Sequence, residues 1–169
     1  HPYRGQIRLL LGTALAMFVF TVAIGILNGT DLVDFDRKVL LTHVHIGTLA
    51  WITLSVFAST LWLFADQPLA GAADGWARIG APLAAVSIVI YDLTFLTTTG
   101  YLRPVMGTIV AATILSWLAW AIGRARGREV SVPMWGLLAA LATSVTGGVL
   151  GVLYGILIAS KGDAKVLPA

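Results

Sequence analysis

The sequence predicts an all-α integral membrane bundle of five transmembrane helices, and three observations carry this prediction. The 169 residues are 58% hydrophobic and 11% charged, whereas a soluble domain carries roughly 25% charged residues. The mean hydropathy is +0.89. The charged residues stand in short clusters between long apolar runs. Because a backbone surrounded by lipid must satisfy its own hydrogen bonds, these runs are expected to be helices.

Five apolar runs reach the length of about 20 residues that a helix needs to cross a bilayer. They lie near 8–27, 39–64, 79–99, 104–123 and 133–159, and we interpret them as a single membrane domain covering residues 1–169. The first run follows the basic residues Arg4 and Arg8 and ends at Asn28-Gly29. An acidic connection leads from it into the second run, which carries two histidines.

The last three runs are bounded by equally clear signals. A connection rich in Ala, Gly and Pro precedes the third run, and a very short connection centred on 101–104 joins the third and fourth runs into a hairpin. Pro104 and Pro133 stand where a first helical turn accepts proline. In the fifth run, Gly147, Gly151 and Gly155 recur every four residues, so a neighbouring backbone or a flat ligand can approach that face closely.

The distribution of Lys and Arg predicts the orientation in the membrane. An N-terminus in the cytoplasm puts six basic residues inside and five outside, and the connection with Arg124, Arg126 and Arg128 is the strongest cue for this arrangement. We therefore expect a multi-pass protein of the cell's inner (plasma) membrane in contact with the lipid bilayer. The net charge of +3 is interpreted as topology and not as nucleic-acid binding. The absence of cysteine excludes disulfides and iron–sulfur clusters.

His43 and His45 are the main functional candidates, because ionisable groups inside a membrane segment are costly and usually mark a site. Residues two apart on an α-helix point about 200° apart, so both cannot bind one iron from a regular helix. We expect one of them to bind a haem iron. If the helix start is unwound, the pair could instead hold one copper ion. The structural alternative is a histidine hydrogen-bonded in the bundle and another reaching the interface.

Asp92 and Arg103 are the polar residues expected beside the histidines. Spans 2 and 3 run antiparallel, which puts Asp92 at a depth similar to that of His43. Asp92 is expected to accept a histidine hydrogen bond, to move a proton or to bind a metal, and its alternative is a structural pairing with Arg103 or with neighbouring threonines. Arg103 suits a haem propionate as a bidentate donor, although it also fits an ordinary interfacial arginine.

Two further residues complete the set derived from position alone. Trp51 lies deeper in the second span and is expected to line a pocket. Met106 lies near the same surface as the histidines and is the candidate for a second axial ligand, because no other span contains a histidine. His–Met ligation of haem is known chemistry. Packing is the ordinary role of a methionine in a span.

The stretch Thr42–Trp51, THVHIGTLAW, resembles the histidine-bearing helix of proteins related to haem–copper oxidase subunit I. In that family an early helix often carries a histidine or an H-x-H pair, then small residues and a Gly/Ala-Trp step, here His43, His45, Gly47 and Ala50-Trp51. The resemblance implies a cytochrome b-like protein with haem b bound by one of these histidines. The family has many more spans, and this sequence lacks the histidines of its binuclear centre, so reduction of oxygen or nitric oxide is not expected.

These observations predict a haem b-binding membrane protein for electron transfer or haem-based sensing, within a homo-oligomer or a larger redox complex. One alternative is a non-catalytic structural subunit of a membrane complex. Another is a copper-binding membrane protein that uses His43, His45 and Asp92. No nucleotide-binding, hydrolase or metalloprotease motif is present. The lack of a substantial soluble domain argues against a self-sufficient enzyme and leaves the role of an oxidoreductase component open.

Overall fold

The computed structural model describes residues 1–97 and 101–161, and within these residues the protein consists of five helices without a β-strand. Each helix is long and apolar enough to cross a membrane. The predicted helical bundle is thus confirmed. The helices are α1 Arg4–Gly29, α2 Arg37–Phe64, α3 Gly71–Thr97, α4 Leu102–Ala125 and α5 Val132–Lys161.

The helices extend beyond the apolar runs, most clearly at the start of α3. This helix begins eight residues before the predicted position 79, at Gly71. Asp74 and Arg78 form an i,i+4 ion pair of 2.9 Å in this added segment, and the Tyr3 hydroxyl donates to Asp74 Oδ1 at 2.7 Å. Polar residues therefore stabilise the helix where hydropathy alone predicts a connection.

Local signals in the sequence account for the starts of three helices. Asp36 caps the start of α2, because its Oδ1 accepts a hydrogen bond of 2.9 Å from the Val39 backbone N–H. Pro104 and Pro133 stand in the first turns of α4 and α5, as predicted. Part of the expected hairpin between the third and fourth spans, residues 98–100, lies outside the described residues.

The packed core lies nearer the end of the bundle at which α1 begins, which we call the amino-terminal end. The rings of Phe57 and Trp117 stack there at a centroid distance of 4.3 Å, and both residues are fully buried. Between helices in a bilayer, such close packing stabilises the bundle through van der Waals contacts. In contrast, α5 packs mainly against α4 and is largely exposed. The bundle is therefore closed at the amino-terminal end and loosely filled beside α5.

The middle of α2 departs from α-helical geometry. Arg37–His45 is α-helical, Ile46–Thr53 is π-helical and Leu54–Phe64 is α-helical again. Helices of the π type are rare in proteins, and those that occur often lie at functional sites. This segment begins directly after His45, and it therefore resets which residues of α2 face each neighbouring helix.

Candidate cofactor site

His43 joins α2 to α1 through a reciprocal set of hydrogen bonds. Its Nδ1 lies 2.9 Å from the Thr21 carbonyl oxygen and 2.8 Å from Thr21 Oγ1, while the Thr21 hydroxyl donates to the His43 carbonyl at 2.8 Å. Because a carbonyl only accepts, Nδ1 carries the proton. The ring lies against α1, since a Cβ placed on Gly25 would be 3.1 Å from His43 Cε1. His43 is a half-buried helix–helix contact.

His45 faces the other side of α2 and keeps one nitrogen available. Its Nδ1 donates to the Leu41 carbonyl at 2.8 Å, which fixes the tautomer and leaves the lone pair on Nε2. No described residue forms a hydrogen bond with Nε2. Histidines that bind metals commonly donate the other ring nitrogen to a carbonyl in this way. His45 is therefore chemically prepared to act as a ligand.

Two adjoining cavities meet at His45, between α2, α3, α4 and α5. The large cavity has a volume of about 610 Å³ and extends toward the end of the bundle opposite the amino-terminal end. The small cavity has a volume of about 310 Å³ and extends deeper into the bundle. Their shared lining includes His45, Tyr91, Gly107 and Gly151. The large cavity is within the range of about 300–1,000 Å³ that ligand sites occupy.

The glycines of α5 serve two different purposes. A Cβ on Gly155 would lie 3.5 Å from Pro104 Cβ, and one on Gly148 would lie 3.4 Å from Ala111 Cβ, so these two glycines allow close packing of α5 on α4. A Cβ on Gly147 or Gly151 would meet nothing within 4 Å. Gly151 therefore forms an open wall of both cavities.

Positive charge lines one end of the large cavity. Arg37, Lys38 and Arg103 are all part of its lining. The Arg103 Nη2 group donates to the Phe95 carbonyl at 3.2 Å, and its Cζ lies 4.9 Å from the centre of the Phe95 ring. The same ring stacks on His45 at a centroid distance of 3.8 Å. Phe95 thus holds the histidine and the guanidinium in one arrangement at the cavity wall.

Asp92 is fully buried, and its environment differs from the predicted one. Neither carboxyl oxygen has a hydrogen-bond partner among the described residues, so the expected bonds to a histidine or to Arg103 are not found there. The Thr97 hydroxyl donates to the Leu93 carbonyl, and position 98 lies outside the described residues. Asp92 is not part of the lining of either cavity, although the preceding residue, Tyr91, lines both.

The remaining predicted residues lie away from the cavities. Gly47 faces Thr21 of α1, with a Cβ position 3.6 Å from Oγ1, and the Trp51 ring packs on Phe18 of α1 at 4.5 Å. Met106 is half-buried and does not line either cavity; the next residue, Gly107, does. The predicted set therefore divides, with His45 and Arg103 at the large cavity and His43, Gly47 and Trp51 toward α1.

Tyr91, Phe95 and Gly107 are among the lining residues that the sequence did not predict. Tyr91 and Phe95 are four residues apart on α3 and therefore share a face, and both pack against the His45 ring. A Cβ on Gly107 would be 3.2 Å from the Tyr91 ring, so this glycine makes room for the tyrosine. An aromatic i,i+4 pair beside an intramembrane aspartate was the signal available in the sequence.

A copper site shared by both histidines requires an unwound helix start, and Arg37–His45 is regular α-helix. His43 turns toward α1 and His45 toward the cavities. This agrees with the expectation that side chains two residues apart on an α-helix point about 200° apart. No group of three or more His, Cys, Asp or Glu side chains within residues 1–97 and 101–161 is placed to hold a metal ion.

Function must therefore be inferred from the cavities and their side chains. Comparison of the chain with protein-family models, with curated proteins and with solved structures finds no match.

Proposed function

We propose that the protein binds haem b in the large cavity, with His45 Nε2 as the axial ligand, and serves electron transfer or haem-based sensing. The observation that carries the proposal is the state of His45. Its Nδ1 proton is donated to Leu41, and its Nε2 has no hydrogen-bond partner among the described residues. Neutral imidazole with a fixed tautomer is the form that binds iron.

The volume and the lining residues of the large cavity suit haem. Haem is flat and apolar and carries two carboxylates at one edge. The open wall at Gly151 leaves room for a flat group, and Arg37, Lys38 and Arg103 provide cations at one end of the cavity. Arginine pairs with carboxylates through two parallel hydrogen bonds. The residues present therefore suit both parts of the cofactor.

The haem iron would supply one-electron redox chemistry, and the surrounding residues would tune it. Phe95 stacks on His45 and excludes water from one face of the imidazole. The Leu41 carbonyl accepts the hydrogen bond from Nδ1 and so fixes the orientation of the ring. Among the described residues that line the large cavity, none is a methionine or a second histidine. A second axial ligand from Met106 therefore lacks support.

The two alternative functions, copper binding and a structural role, differ in how well the structure supports them. Copper bound by both histidines is disfavoured, because α-helical geometry directs His43 and His45 to opposite sides. A structural subunit is favoured by one observation, the long exposed apolar face of α5, which suits lipid or another membrane subunit. This face is equally compatible with a haem protein inside a homo-oligomer or a redox complex.

Orientation forms part of the proposal. The end of α4 and the connection to α5 carry three arginines at the amino-terminal end of the bundle, and such clusters favour the cytoplasmic side. The N-terminus would then be cytoplasmic in the inner (plasma) membrane. The cavity and its basic end would lie toward the outer surface, where an electron partner could dock.

Absorption spectra of the purified protein, oxidised and then reduced with dithionite, test the proposal. We expect a Soret band, sharp α-bands after reduction, and iron close to one atom per chain by elemental analysis. Copper without a haem spectrum would replace the proposal by the copper-binding alternative. A folded protein with neither metal after expression with haem precursors would contradict it and support the structural role.

A further inference from the structure

Asp92 is the one acidic residue that stands inside an apolar run of the sequence. It lies five residues before Thr97, the last described residue of α3, which is about 8 Å along the helix axis at 1.5 Å per residue. Its exposed fraction is 0%. Neither carboxyl oxygen makes a hydrogen bond with a described residue. Folded proteins rarely bury a carboxyl group that has no hydrogen-bond partner, because its burial costs free energy.

No cation neutralises this carboxyl within the described part of the chain. The ion pairs found there join Asp74 to Arg78 and Asp66 to Arg128, both toward the amino-terminal end of the bundle. Arg103 of α4 donates instead to the Phe95 carbonyl. An unpaired carboxylate in such a place costs several kcal/mol in real proteins. The ionised form of Asp92 is therefore strongly disfavoured.

The titratable groups on the surrounding helices form no hydrogen bond with Asp92 either. On α2, His43 donates its Nδ1 proton to Thr21, and His45 donates its Nδ1 proton to Leu41. Tyr91, on the same helix as Asp92, lines the two cavities. After Arg8, the apolar run of α1 carries no titratable side chain.

Buried hydroxyl groups do not satisfy the carboxyl either. Thr42 donates to the Lys38 carbonyl at 2.8 Å, and Ser87 lies 3.3 Å from the Ala84 carbonyl that accepts its proton. The Thr21 hydroxyl donates to His43. Each of these hydroxyl protons is used by a backbone carbonyl, so none is left for Asp92.

We infer that Asp92 is a proton-binding site, which holds a proton as a neutral carboxylic acid in the resting protein at neutral pH. Protonation removes the charge, and burying a neutral carboxyl costs far less than burying an ion. The site is separate from the cavities, because Asp92 does not line them. The ligand of this site is a proton from water. When it binds, the Asp92 carboxylate becomes a neutral carboxylic acid, and when it leaves, it returns to water.

Infrared spectroscopy of the purified full chain tests this inference, in a maltoside detergent that has no ester carbonyl. We expect the C=O stretching band of a protonated carboxylic acid at neutral pH, with a shift to lower frequency in D₂O. The band should be lost in Asp92→Asn. It should persist in Asp74→Asn, the matched control on the same helix, and in His45→Ala.

Three results would overturn the inference: no such band in the folded wild-type protein, a band that survives in Asp92→Asn, or a band abolished by high NaCl. The last would indicate a monovalent cation in place of the proton. If Asp92→Asn fails to fold, Asp92→Glu provides a second test, because a retained band with altered frequency still assigns it to this position. The measurement needs no haem, so it stands or fails independently of the proposed function.

Discussion

Two histidines on one helix occupy opposite environments in this protein. The α1–α2 seam, formed by Thr21, Gly25 and His43, is closed by hydrogen bonds and by close backbone approach. On the other side of α2, His45 meets open volume, an exposed glycine wall and cations. Residue type therefore does not decide between structure and function here. What decides is whether the neighbouring helix fills the space beside the ring.

Replacing each histidine separately should give the largest difference between the two regions. We expect His45→Ala to reduce haem retention about a hundredfold or more, a loss of roughly 2.8 kcal/mol at 1.4 kcal/mol per factor of ten. His43→Ala should retain haem, because its ring contacts α1. The measurement is haem per chain after purification, from the pyridine haemochrome spectrum. Equal partial losses in both variants would remove the distinction between the two regions.

Filling the cavity from its glycine wall should have the next largest effect. Gly151→Leu puts a side chain into space shared by both cavities, and we expect haem affinity to fall about tenfold or more. Gly136→Leu is the matched control, since Gly136 is on the same helix, is equally open and lines neither cavity. Both changes replace a helical glycine and favour helix formation by up to about 1 kcal/mol. Similar haem affinities of the two variants, in a haemin titration, would argue against a ligand at this wall.

Removing the hydroxyl from the seam should lower stability without changing haem binding. Thr21→Val keeps the shape of the side chain but removes the donor to the His43 carbonyl, and we expect a loss of about 1–2 kcal/mol in the free energy of unfolding. Thr143→Val is the control, because Thr143 is exposed and bonds only carbonyls of its own helix. Unfolding in denaturant, followed by circular dichroism, measures both. A loss of haem in Thr21→Val with unchanged stability would reverse the roles assigned to the two regions.

Neutralising a cation at the cavity end should have the smallest effect. Arg103→Gln removes one charge from the lining of the large cavity, and we expect haem affinity to fall about two- to fivefold, as partly exposed ion pairs contribute about 0.2–1 kcal/mol. Arg8→Gln, at the amino-terminal end of the bundle, should leave affinity unchanged. The effect of Arg103→Gln should shrink at high salt. Equal affinities of both variants at low salt would exclude a carboxylate of the ligand near Arg103.

The sequence was sufficient for the bundle and for the opposition of the two histidines. Apolar length predicted the spans, and helical geometry predicted that His43 and His45 diverge. The start of α3 was missed, because the Asp74–Arg78 pair keeps a polar segment helical beyond the apolar run. Helix ends at a membrane surface depend on such local pairs, which hydropathy does not register.

Assigning residues to the cavity required the packing of the helices. Nothing in the sequence says that α1 covers His43 while the side of His45 stays open. The π-helical segment Ile46–Thr53 is also not apparent from sequence, and its two candidate site residues, Gly47 and Trp51, face α1. Met106 and Gly107 show how little separates a correct assignment from a wrong one. They are neighbours on α4, but only Gly107 lines the cavities.

Chemical rescue of His45→Gly tests most directly whether His45 Nε2 is the haem ligand. We expect this variant to lose the haem spectrum and to regain a Soret band and reduced α-bands when imidazole is added with haemin, because free imidazole can occupy the space of the missing ring. His43→Gly should need no rescue. A wild-type haem spectrum in His45→Gly without imidazole would contradict the account, as would a folded variant that imidazole does not restore.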